Sequence, residues 1–328
     1  MESEFRTLLR NSFKSEDTEE KIDVFFTRPI GLAMALVCAK LRVHPNTITV
    51  ISLFIGIAAG YMFFFRDVWH NIAGVLLLMV ANFCDSADGQ LARLTNQKTL
   101  LGRILDGFSG DVWFTAIYAA IFLRLYPQTI PFTGVQWGFW ALLLTAFAGI
   151  VCHSRQSSLA DYYRQIHLYF LLGKKGSELD DSAAQERKLN ELKEGYNNME
   201  RHSLSSVVRY LFFRTFYRNY ASYCRSQEKR TPAFQAFYKA VSGLYGGAEN
   251  IPPELRDEFR RGSLPLMKFA NLLTFNARAI LLYISCLIDM PYIYPLFEIV
   301  VFSIVYVYMN RRHEALCRRL SSKISVKR

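Results

Sequence analysis

Four aspartates in one short stretch of the chain are the side chains best suited to chemistry. They are Asp85, Asp88, Asp106 and Asp111, and a short polar turn separates the first two from the last two. Asp85 and Asp88 are three residues apart, so they share one side of a helix. Carboxylates held together near a low-dielectric region repel one another unless a cation or a polar cavity compensates.

Small residues accompany these acids at helical spacing. Gly89 and Ala92 continue the side of the helix that carries the first two aspartates. On the next apolar segment, Gly102 and Gly110 lie four residues before and after Asp106. These small residues leave room for a ligand, and the two helix sides can face each other because the turn between them is short.

A divalent cation is the ligand that such a group of carboxylates indicates. Mg²⁺ takes oxygen ligands and usually keeps coordination positions open for substrate phosphate. Two such ions can clamp a diphosphate and stabilise charge on the leaving phosphate. We therefore predict a site for two ions of Mg²⁺ or Mn²⁺, with Arg93 as a fixed positive charge at the same helix end.

Six apolar segments are long enough to cross a bilayer as helices, which requires about 20 residues each. They are residues 47–65, 70–92, 101–123, 136–154, 266–288 and 291–310. Residues 29–41 are apolar but shorter, which suits a helix lying along the membrane surface. The predicted fold class is all-α: a polytopic membrane protein with six transmembrane helices, an N-terminal interfacial helix and a helical cytosolic insertion.

The net charge of +11 is distributed in a way that favours a membrane protein over a nucleic-acid-binding one. Lys and Arg are frequent in residues 1–45, between the second and third spans, in 156–265 and after 310, and they are rare in the other loops. Because cytosolic loops carry such an excess, both termini and the aspartates are predicted to be cytosolic. The six cysteines are scattered without a CxxC pair, which argues against a zinc site or a disulfide framework.

The chain divides into five predicted parts. They are a cytosolic N-terminus with the interfacial helix (1–45), transmembrane helices 1–4 with the aspartates (46–155), a cytosolic insertion (156–265), transmembrane helices 5–6 (266–310) and a basic cytosolic tail (311–328). The first span is expected to act as the insertion signal, because residues 1–23 have no apolar core. A lid, a dimer contact and an added surface domain all remain open as the role of the insertion.

The aspartates belong to the pattern D-x2-D-G-x2-A-R-x8-G-x3-D, which resembles the signature of the CDP-alcohol phosphotransferase (CDP-alcohol phosphatidyltransferase) family. Its fixed positions are Asp85, Asp88, Gly89, Ala92, Arg93, Gly102 and Asp106. The sequence PNTIT, which contains Asn46 and Thr49, is similar to the family's usual start of the first span. Six spans with the motif between the second and third also resemble the family, and the resemblance covers about residues 28–155.

This resemblance implies a transferase that moves a phosphatidyl or phosphoalcohol group from a CDP-linked lipid or CDP-alcohol donor to an alcohol acceptor and releases CMP. It implies that the first three aspartates bind metal together with the donor diphosphate, and that the small residues line the cytidine pocket. The predicted donor-binding residues are Gly89, Ala92, Arg93, Gly102, Asn46 and Thr49. The lipid bilayer is a predicted partner, nucleic acid is not, and the resemblance is compatible with a homodimer.

One position departs from the family pattern. In the family, a fourth aspartate four residues after the third helps to hold metal and deprotonates the acceptor hydroxyl. Here Gly110 occupies that position, and the acid is Asp111, which a straight helix rotates by about 100° from the expected side. A single-residue π-bulge between Asp106 and Asp111 would restore its direction. On this basis we predict Asp111 as the base and a metal ligand, with Asp106 as the other catalytic residue.

Polar residues on the fourth and fifth spans are candidates for acceptor binding. His153 and Arg155 lie at the predicted cytosolic end of the fourth span, and Arg278 lies inside the fifth. Arginine can donate two parallel hydrogen bonds to phosphate, so a phosphorylated polyol such as an inositol phosphate or glycerol phosphate is the predicted acceptor. A neutral polyol or an amino alcohol remains open. Arg278 has a second interpretation, a structural pair with an acid such as Glu298 on the sixth span.

Two other classes of function are compatible with acids at a membrane surface. An intramembrane prenyltransferase also holds a diphosphate with aspartates and Mg²⁺, but the glycine, alanine and arginine that follow Asp88 argue against it. A non-enzymatic transporter could use the acids as an ion site, although polar residues would then be expected at the midplane of several spans. Release of CMP from a CDP-linked lipid separates these classes.

Overall fold

The computed structural model describes residues 2–11, 15–97, 99–199, 203–247 and 250–326. These residues form helices and turns, and apart from one isolated bridge between Thr129 and Gln136 they contain no β-structure. The predicted all-α fold class is therefore confirmed. The α-helices are α1 (Glu2–Asn11), α2 (Arg28–Lys40), α3 (Pro45–Met62), α4 (Val68–Leu94), α5 (Leu100–Leu125), α6 (Gly138–Ala146), α7 (Ser154–Leu172), α8 (Ser182–Asn197), α9 (Leu204–Arg230), α10 (Pro232–Tyr245), α11 (Pro253–Leu272), α12 (Phe275–Leu287), α13 (Ile293–Phe297) and α14 (Ser303–Val326).

Six helical stretches of the described chain are long and apolar enough, by length and composition, to cross a membrane. They cover Pro45–Met62, Val68–Leu94, Ile104–Leu125, Gly138–Leu172, Pro253–Leu287 and Ile293–Ile324. The six predicted spans coincide with them. The last three stretches are longer than predicted because helix continues beyond the apolar residues into polar sequence.

Short polar side chains determine where several helices begin. The Asp67 carboxylate accepts a hydrogen bond from the His70 N–H (3.1 Å) at the start of α4. The Thr99 hydroxyl accepts one from the Gly102 N–H (2.9 Å) at the start of α5. Such caps pair N–H groups that the first helical turn leaves free. The cap at Thr99 therefore places Asp106 within the first two turns of α5.

The first compact unit comprises Met1–Ser157 and Asn271–Val305, and small residues bring its spans close together. A Cβ atom on Gly56 of α3 would lie 2.0 Å from Cδ1 of Trp113 on α5, and one on Gly60 would lie 2.9 Å from Cβ of Ala116. Trp113 belongs to the buried core that α3, α4 and α5 share. Between apolar helices in lipid, close backbone approach at small residues supplies the packing contacts that hold the helices together.

A buried arginine joins three chain segments at the end of α5 that lies away from Asp106. Arg124 is 2% exposed and donates hydrogen bonds to the carbonyls of Phe63 (3.0 Å) and Cys286 (3.2 Å). It also donates to Asn71 Oδ1 (2.8 Å) and to Asp289 Oδ1 (2.8 Å). Partial burial favours a higher pKa for the Asp289 carboxyl, but the hydrogen bonds from its arginine partners outweigh this and lower the pKa.

The second compact unit comprises Ser158–Ala270 and Tyr306–Arg328. Its centre is aromatic: the rings of Phe170, Phe237 and Phe259 stack with centroids 4.2 to 6.0 Å apart. The Glu314 carboxylate accepts hydrogen bonds from the N–H groups of Ala233 (2.7 Å) and Phe234, so it caps α10.

Helices α8 and α9 form an antiparallel hairpin within this unit. Near the tip of the hairpin the rings of Tyr196 and Tyr210 stack at 3.9 Å. At its other end the Glu228 carboxylate accepts hydrogen bonds from the N–H and the hydroxyl of Ser182, both at 2.7 Å. The insertion predicted to be helical thus contains α8 and α9.

The buried arginine at the end of α5 yields a prediction about stability. Arg124→Met should lower the free energy of unfolding by about 3 kcal/mol, because it leaves buried acceptors without their donor. Arg66→Met is the matched control: Arg66 also pairs with Asp289 (2.7 Å) but is mostly exposed, so its loss should cost less than about 1 kcal/mol. Thermal unfolding in detergent measures both variants, and equal losses would contradict the prediction.

Candidate metal centre

The ends of α4 and the start of α5 bring the first three aspartates towards one another. Asp85 and Asp88 lie in the last three turns of α4, and Asp106 lies near the start of α5. Asn96 ends α4 with a left-handed backbone (φ 54°), a conformation that asparagine tolerates better than most residues. Because the N-cap of α5 follows at Thr99, the two helix ends are held close together.

Carboxylate oxygens of Asp85, Asp88 and Asp106 all lie within 4.8 Å of one another. Asp88 is buried at 4% exposure, Asp85 is half-buried and Asp106 is exposed. The predicted opposition of the two helix sides is therefore present in the structure. Among the described residues, Asp85, Asp88 and Asp106 are the group of three or more acidic, histidine or cysteine side chains close enough to hold one metal ion.

A serine that the sequence did not single out supports this group. The buried Ser109 hydroxyl lies 3.0 Å from Asp85 Oδ1 and 2.8 Å from the Asp106 carbonyl, as a hydrogen-bond donor to them. It thereby connects the two helices that carry the aspartates. Ser109 lies three residues after Asp106, and this spacing places both on the same side of α5. The sequence could therefore have indicated that Ser109 lies beside the aspartates.

The group fits a hard divalent cation. Three oxygen atoms within 4.8 Å of one another lie at most about 2.8 Å from a common centre, and a further approach of under about 1 Å reaches the 2.1 Å that Mg²⁺ prefers. Oδ2 of Asp88 is buried and has no hydrogen-bond partner among the described residues. A buried carboxylate oxygen without a donor is costly in a protein interior, and a cation would satisfy it.

The predicted donor-binding residues lie around these acids. Arg93 is half-buried, and its Nε and Nη2 atoms have no hydrogen-bond partner in the described chain. A Cβ on Gly89 would lie 3.6 Å from Arg93 Nη1, so the glycine leaves space beside the guanidinium. Ala92, one position before it, is half-buried. A cationic group with free donors is thus present on the helix that carries Asp88.

The start of α3 meets the start of α5 at a second glycine. A Cβ on Gly102 would lie 2.8 Å from Oδ1 of Asn46, so the absence of a side chain permits this approach. Thr49 is buried, and its hydroxyl donates to the Pro45 carbonyl at 3.3 Å. Asn46 and Gly102 are therefore neighbours, as a shared binding site requires.

The start of α2 also reaches this region, which the sequence did not predict. The Arg28 guanidinium pairs with both oxygens of Glu19, the shortest contact being 2.9 Å. The side-chain amide of Gln90, two residues after Asp88, donates to the Arg28 carbonyl at 3.1 Å. The charge of Arg28 acts on both Asp85 and Arg93. No local pattern relates Arg28 to α4, because the contact depends on how α2 packs.

The π-bulge expected between Asp106 and Asp111 is absent. Helix α5 is regular α-helix from Leu100 to Leu125, so Asp111 points about 140° away from Asp106. Asp111 is exposed and does not belong to the group of three carboxylates. The expected bulge is therefore wrong, and the role of Asp111 as base and metal ligand stays a prediction without that support.

Three π-helical segments occur elsewhere in the described residues, and two of them bring a charged network together. Asp23–Thr27 leads into α2, Phe147–His153 joins α6 to α7, and Glu298–Phe302 joins α13 to α14. His153 ends the segment before α7, and Glu298 begins the segment before α14. A π-turn accommodates one additional residue and so redirects the side chains around it. Both side chains are buried and face Arg278.

The Arg278 guanidinium has partners on every side. It forms an ion pair with Glu298 and donates to His153 Nδ1 (3.0 Å) and to Gln156 Oε1 (3.0 Å). Its Nε donates to the Leu273 carbonyl at 3.1 Å. This geometry favours the structural interpretation of Arg278. Acceptor binding by Arg278 and His153 stays a prediction, and Arg155 is exposed at the start of α7.

Comparisons with known proteins show that part of the chain is similar to one family. Residues 42–169 match the family model described as CDP-alcohol phosphatidyltransferase. An uncharacterized protein of Aquifex aeolicus is 35% identical over 127 residues, which is 38% of this chain and 60% of that protein. The archaetidylinositol phosphate synthase of Pyrococcus horikoshii is 35% identical over 68 residues, 21% of this chain and 35% of that protein. The chain thus spans 60% and 35% of these curated relatives, and no solved structure matches it.

The three-carboxylate group yields a prediction about metal binding. Asp88→Asn should weaken Mn²⁺ binding at least tenfold. Loss of a residue that hydrogen-bonds to a metal ligand typically lowers metal affinity by roughly 10- to 100-fold, and loss of the ligand itself should lower it at least as much. Ser109→Ala removes a residue that hydrogen-bonds to the ligand Asp85, so it should weaken Mn²⁺ binding by about 10- to 100-fold. Electron paramagnetic resonance of free Mn²⁺ titrated into the full-length protein measures the affinity. The exposed Asp257→Asn serves as control, and equal affinity in all three variants would refute the site.

The Arg278 network yields a separate prediction. Arg278→Met should destabilise the protein by about 3 to 5 kcal/mol, because it leaves the Glu298 charge buried without its partner. The double variant Arg278→Met/Glu298→Leu should recover part of that loss, since it removes both charges. Thermal unfolding in detergent measures the three proteins. If the double variant loses as much as the two single variants added together, the pair is not the structural unit inferred here.

Proposed function

We propose that the chain is a phospholipid-biosynthesis transferase, because residues 42–169 match the family model described as CDP-alcohol phosphatidyltransferase. It moves a phosphatidyl or phosphoalcohol group from a CDP-activated donor to the hydroxyl of an alcohol acceptor, and CMP leaves. The observation that supports this most is the convergence of Asp85, Asp88 and Asp106 within 4.8 Å, inside the matched region.

The chemistry proposed for this site assigns a task to each group. A divalent cation bound by Asp85, Asp88 and Asp106 would supply Lewis acidity to the donor diphosphate and neutralise charge on the departing CMP. Arg93 donates hydrogen bonds from its free Nε and Nη2 to diphosphate oxygens. Gly89 leaves space for the nucleotide beside that guanidinium. Electrostatic preorganisation of this kind acts where negative charge develops.

The acceptor reacts through its hydroxyl oxygen. A bond forms between that oxygen and the transferred phosphorus, the bond from phosphorus to the CMP oxygen breaks, and the hydroxyl proton goes to a base. We retain Asp111 as that base. On a regular α5 this assignment requires the acceptor to approach from the exposed side of the helix that carries Asp111.

A phosphorylated polyol, such as an inositol phosphate or glycerol phosphate, is the proposed acceptor class. The similarity to an archaetidylinositol phosphate synthase supports it, although that similarity covers 68 residues. Arg155 is the proposed phosphate ligand, because it is exposed to solvent at the start of α7 and Arg278 is buried. Bidentate donation to phosphate is what an exposed arginine does well.

The distribution of Lys and Arg supports a cytosolic position for both termini and for the aspartates in this proposal. The boundaries of the five predicted parts and a homodimeric state remain predictions. The family match across the aspartate region disfavours both the prenyltransferase and the transporter alternatives.

A CMP-release assay tests the proposed function. Full-length protein in lipid nanodiscs, given CDP-diacylglycerol and Mg²⁺ or Mn²⁺, should release CMP only with metal and an acceptor, and fastest with inositol phosphate or glycerol phosphate. Inositol, serine and a prenyl diphosphate complete the panel. No CMP release with any acceptor would overturn transfer of a phosphatidyl group, and consumption of the prenyl diphosphate instead would overturn the whole proposal.

The same assay tests the base. Asp111→Asn should lower turnover by about 10²- to 10⁴-fold, the range of general-base catalysis, while binding of the CDP-linked donor stays unchanged. Asp257→Asn is the exposed control. Turnover of Asp111→Asn within twofold of that control would refute Asp111 as the base without affecting the assignment of the three metal ligands.

A further inference from the structure

The outer side of α9 carries a stripe of exposed apolar side chains. Leu204 is 81% exposed, Val208 58%, Leu211 50% and Phe212 41%. Their spacing of four, three and one residues places them on one side of the helix, over its first two and a half turns. We call these four residues the α9 stripe. Exposed large apolar side chains in a contiguous group mark a surface that meets another apolar phase or molecule.

The α9 stripe is not the side by which α9 packs in its own unit. The opposite side supplies Tyr210, which stacks on Tyr196 of α8, and the buried Ala221 and Cys224. Helix α9 therefore has two apolar sides, and the contacts within the hairpin cover only the inner one. The outer side needs a separate explanation.

Positive charge borders the stripe on both sides. Arg209 lies at one edge, Arg214 and Arg218 lie at the other, and all three are exposed. The guanidinium groups of Arg209 and Arg214 lie 5.9 Å from the ring centres of Phe213 and Tyr210, which holds them beside the helix. The chain has no acidic residue from Leu204 to Gln227. The outer surface of α9 is thus apolar along its middle and cationic along its edges.

We propose that the α9 stripe and its bordering arginines bind the surface of an anionic lipid bilayer. An apolar side inserted to the level of the headgroups, with Arg residues at its polar boundary, is the pattern of an interfacial helix. Anionic headgroups attract such arginines. A second copy of the chain fits less well, because a symmetric contact would bring the three arginines of both copies together with no acid on α9 to pair them.

This lipid contact would act on the hairpin rather than on the aspartates, and it requires no transferase activity. Attraction between exposed arginines and headgroups weakens with salt, because the screening length falls from about 10 Å at 0.1 M to about 3 Å at 1 M. The contact should therefore increase with the anionic lipid fraction and weaken as salt rises. A contact made by the apolar side chains alone would depend neither on the anionic lipid fraction nor on the electrostatic screening by salt.

Spin labelling of the full-length protein tests the contact directly. A nitroxide on Val208→Cys is compared with one on Glu194→Cys, an exposed position of α8, both in a Cys38→Ser background because the other five native cysteines are buried. In nanodiscs containing phosphatidylglycerol, the label at 208 should lose accessibility to a water-soluble nickel complex and gain accessibility to oxygen. The label at 194 should remain accessible to nickel. Replacing phosphatidylglycerol with phosphatidylcholine should reverse the change at 208.

The three arginines provide the specific variant. Arg209→Gln, Arg214→Gln and Arg218→Gln combined should abolish the dependence of the label at 208 on phosphatidylglycerol, and the corresponding Lys variants should restore it. The helical content of each variant, measured by circular dichroism, confirms that it is folded. The proposal is overturned if position 208 stays accessible to nickel in anionic nanodiscs. Dipolar broadening between labels at 208 that is independent of lipid composition would also overturn it, because a second copy would then cover the stripe.

Discussion

Mutual repulsion among three carboxylates is the constraint on which the site depends. Asp85, Asp88 and Asp106 are held within 4.8 Å of one another, and water screens the buried Asp88 and the half-buried Asp85 poorly. The left-handed turn at Asn96 and the cap at Thr99 impose this proximity, and Ser109 reinforces it with a single hydrogen bond. A group that stays unfavourable without a cation is a group suited to binding one.

Two buried arginines in the first unit are paired with acids of the protein. Arg278 is paired with Glu298, and Arg124 is shared among two carbonyls, an amide and Asp289. In both networks the charge finds its partners within the protein, which is how a membrane-spanning bundle stabilises ionised groups. At the aspartates the partners carry the same charge: Asp88 meets two other carboxylates, whereas Arg278 and Arg124 each pair with an acid. Buried atoms without hydrogen-bond partners occur in all three places, so the pairing of opposite charges is what separates the structural networks from the group of aspartates.

Helices α4 and α5, which carry the aspartates, are regular, whereas two of the three π-helical segments among the described residues occur at the Arg278 network. The two π-helical segments at Phe147–His153 and Glu298–Phe302 present His153 and Glu298 to Arg278. Helix α5 stays regular past Asp111, so that the side of α5 bearing Asp106 carries Gly110 one turn later, and a Cβ there would meet nothing within 4 Å. The space where the family carries its fourth acid is open in this chain.

What the sequence by itself determined is local along the chain. Hydropathy identified the six spans and their order, because twenty consecutive apolar residues are sufficient for a membrane helix. Spacing placed Asp85 with Asp88 on one helix side and indicated that Asp106 would face them, because the connecting turn is short. Tertiary structure alone decided the partners of Arg278, 125 residues beyond His153, and the approach of Arg28 and Gln90, 62 residues apart. It also decided that α5 would not bulge. Such contacts depend on how whole helices pack, and no periodic pattern in the sequence encodes the distance between two side chains on different helices.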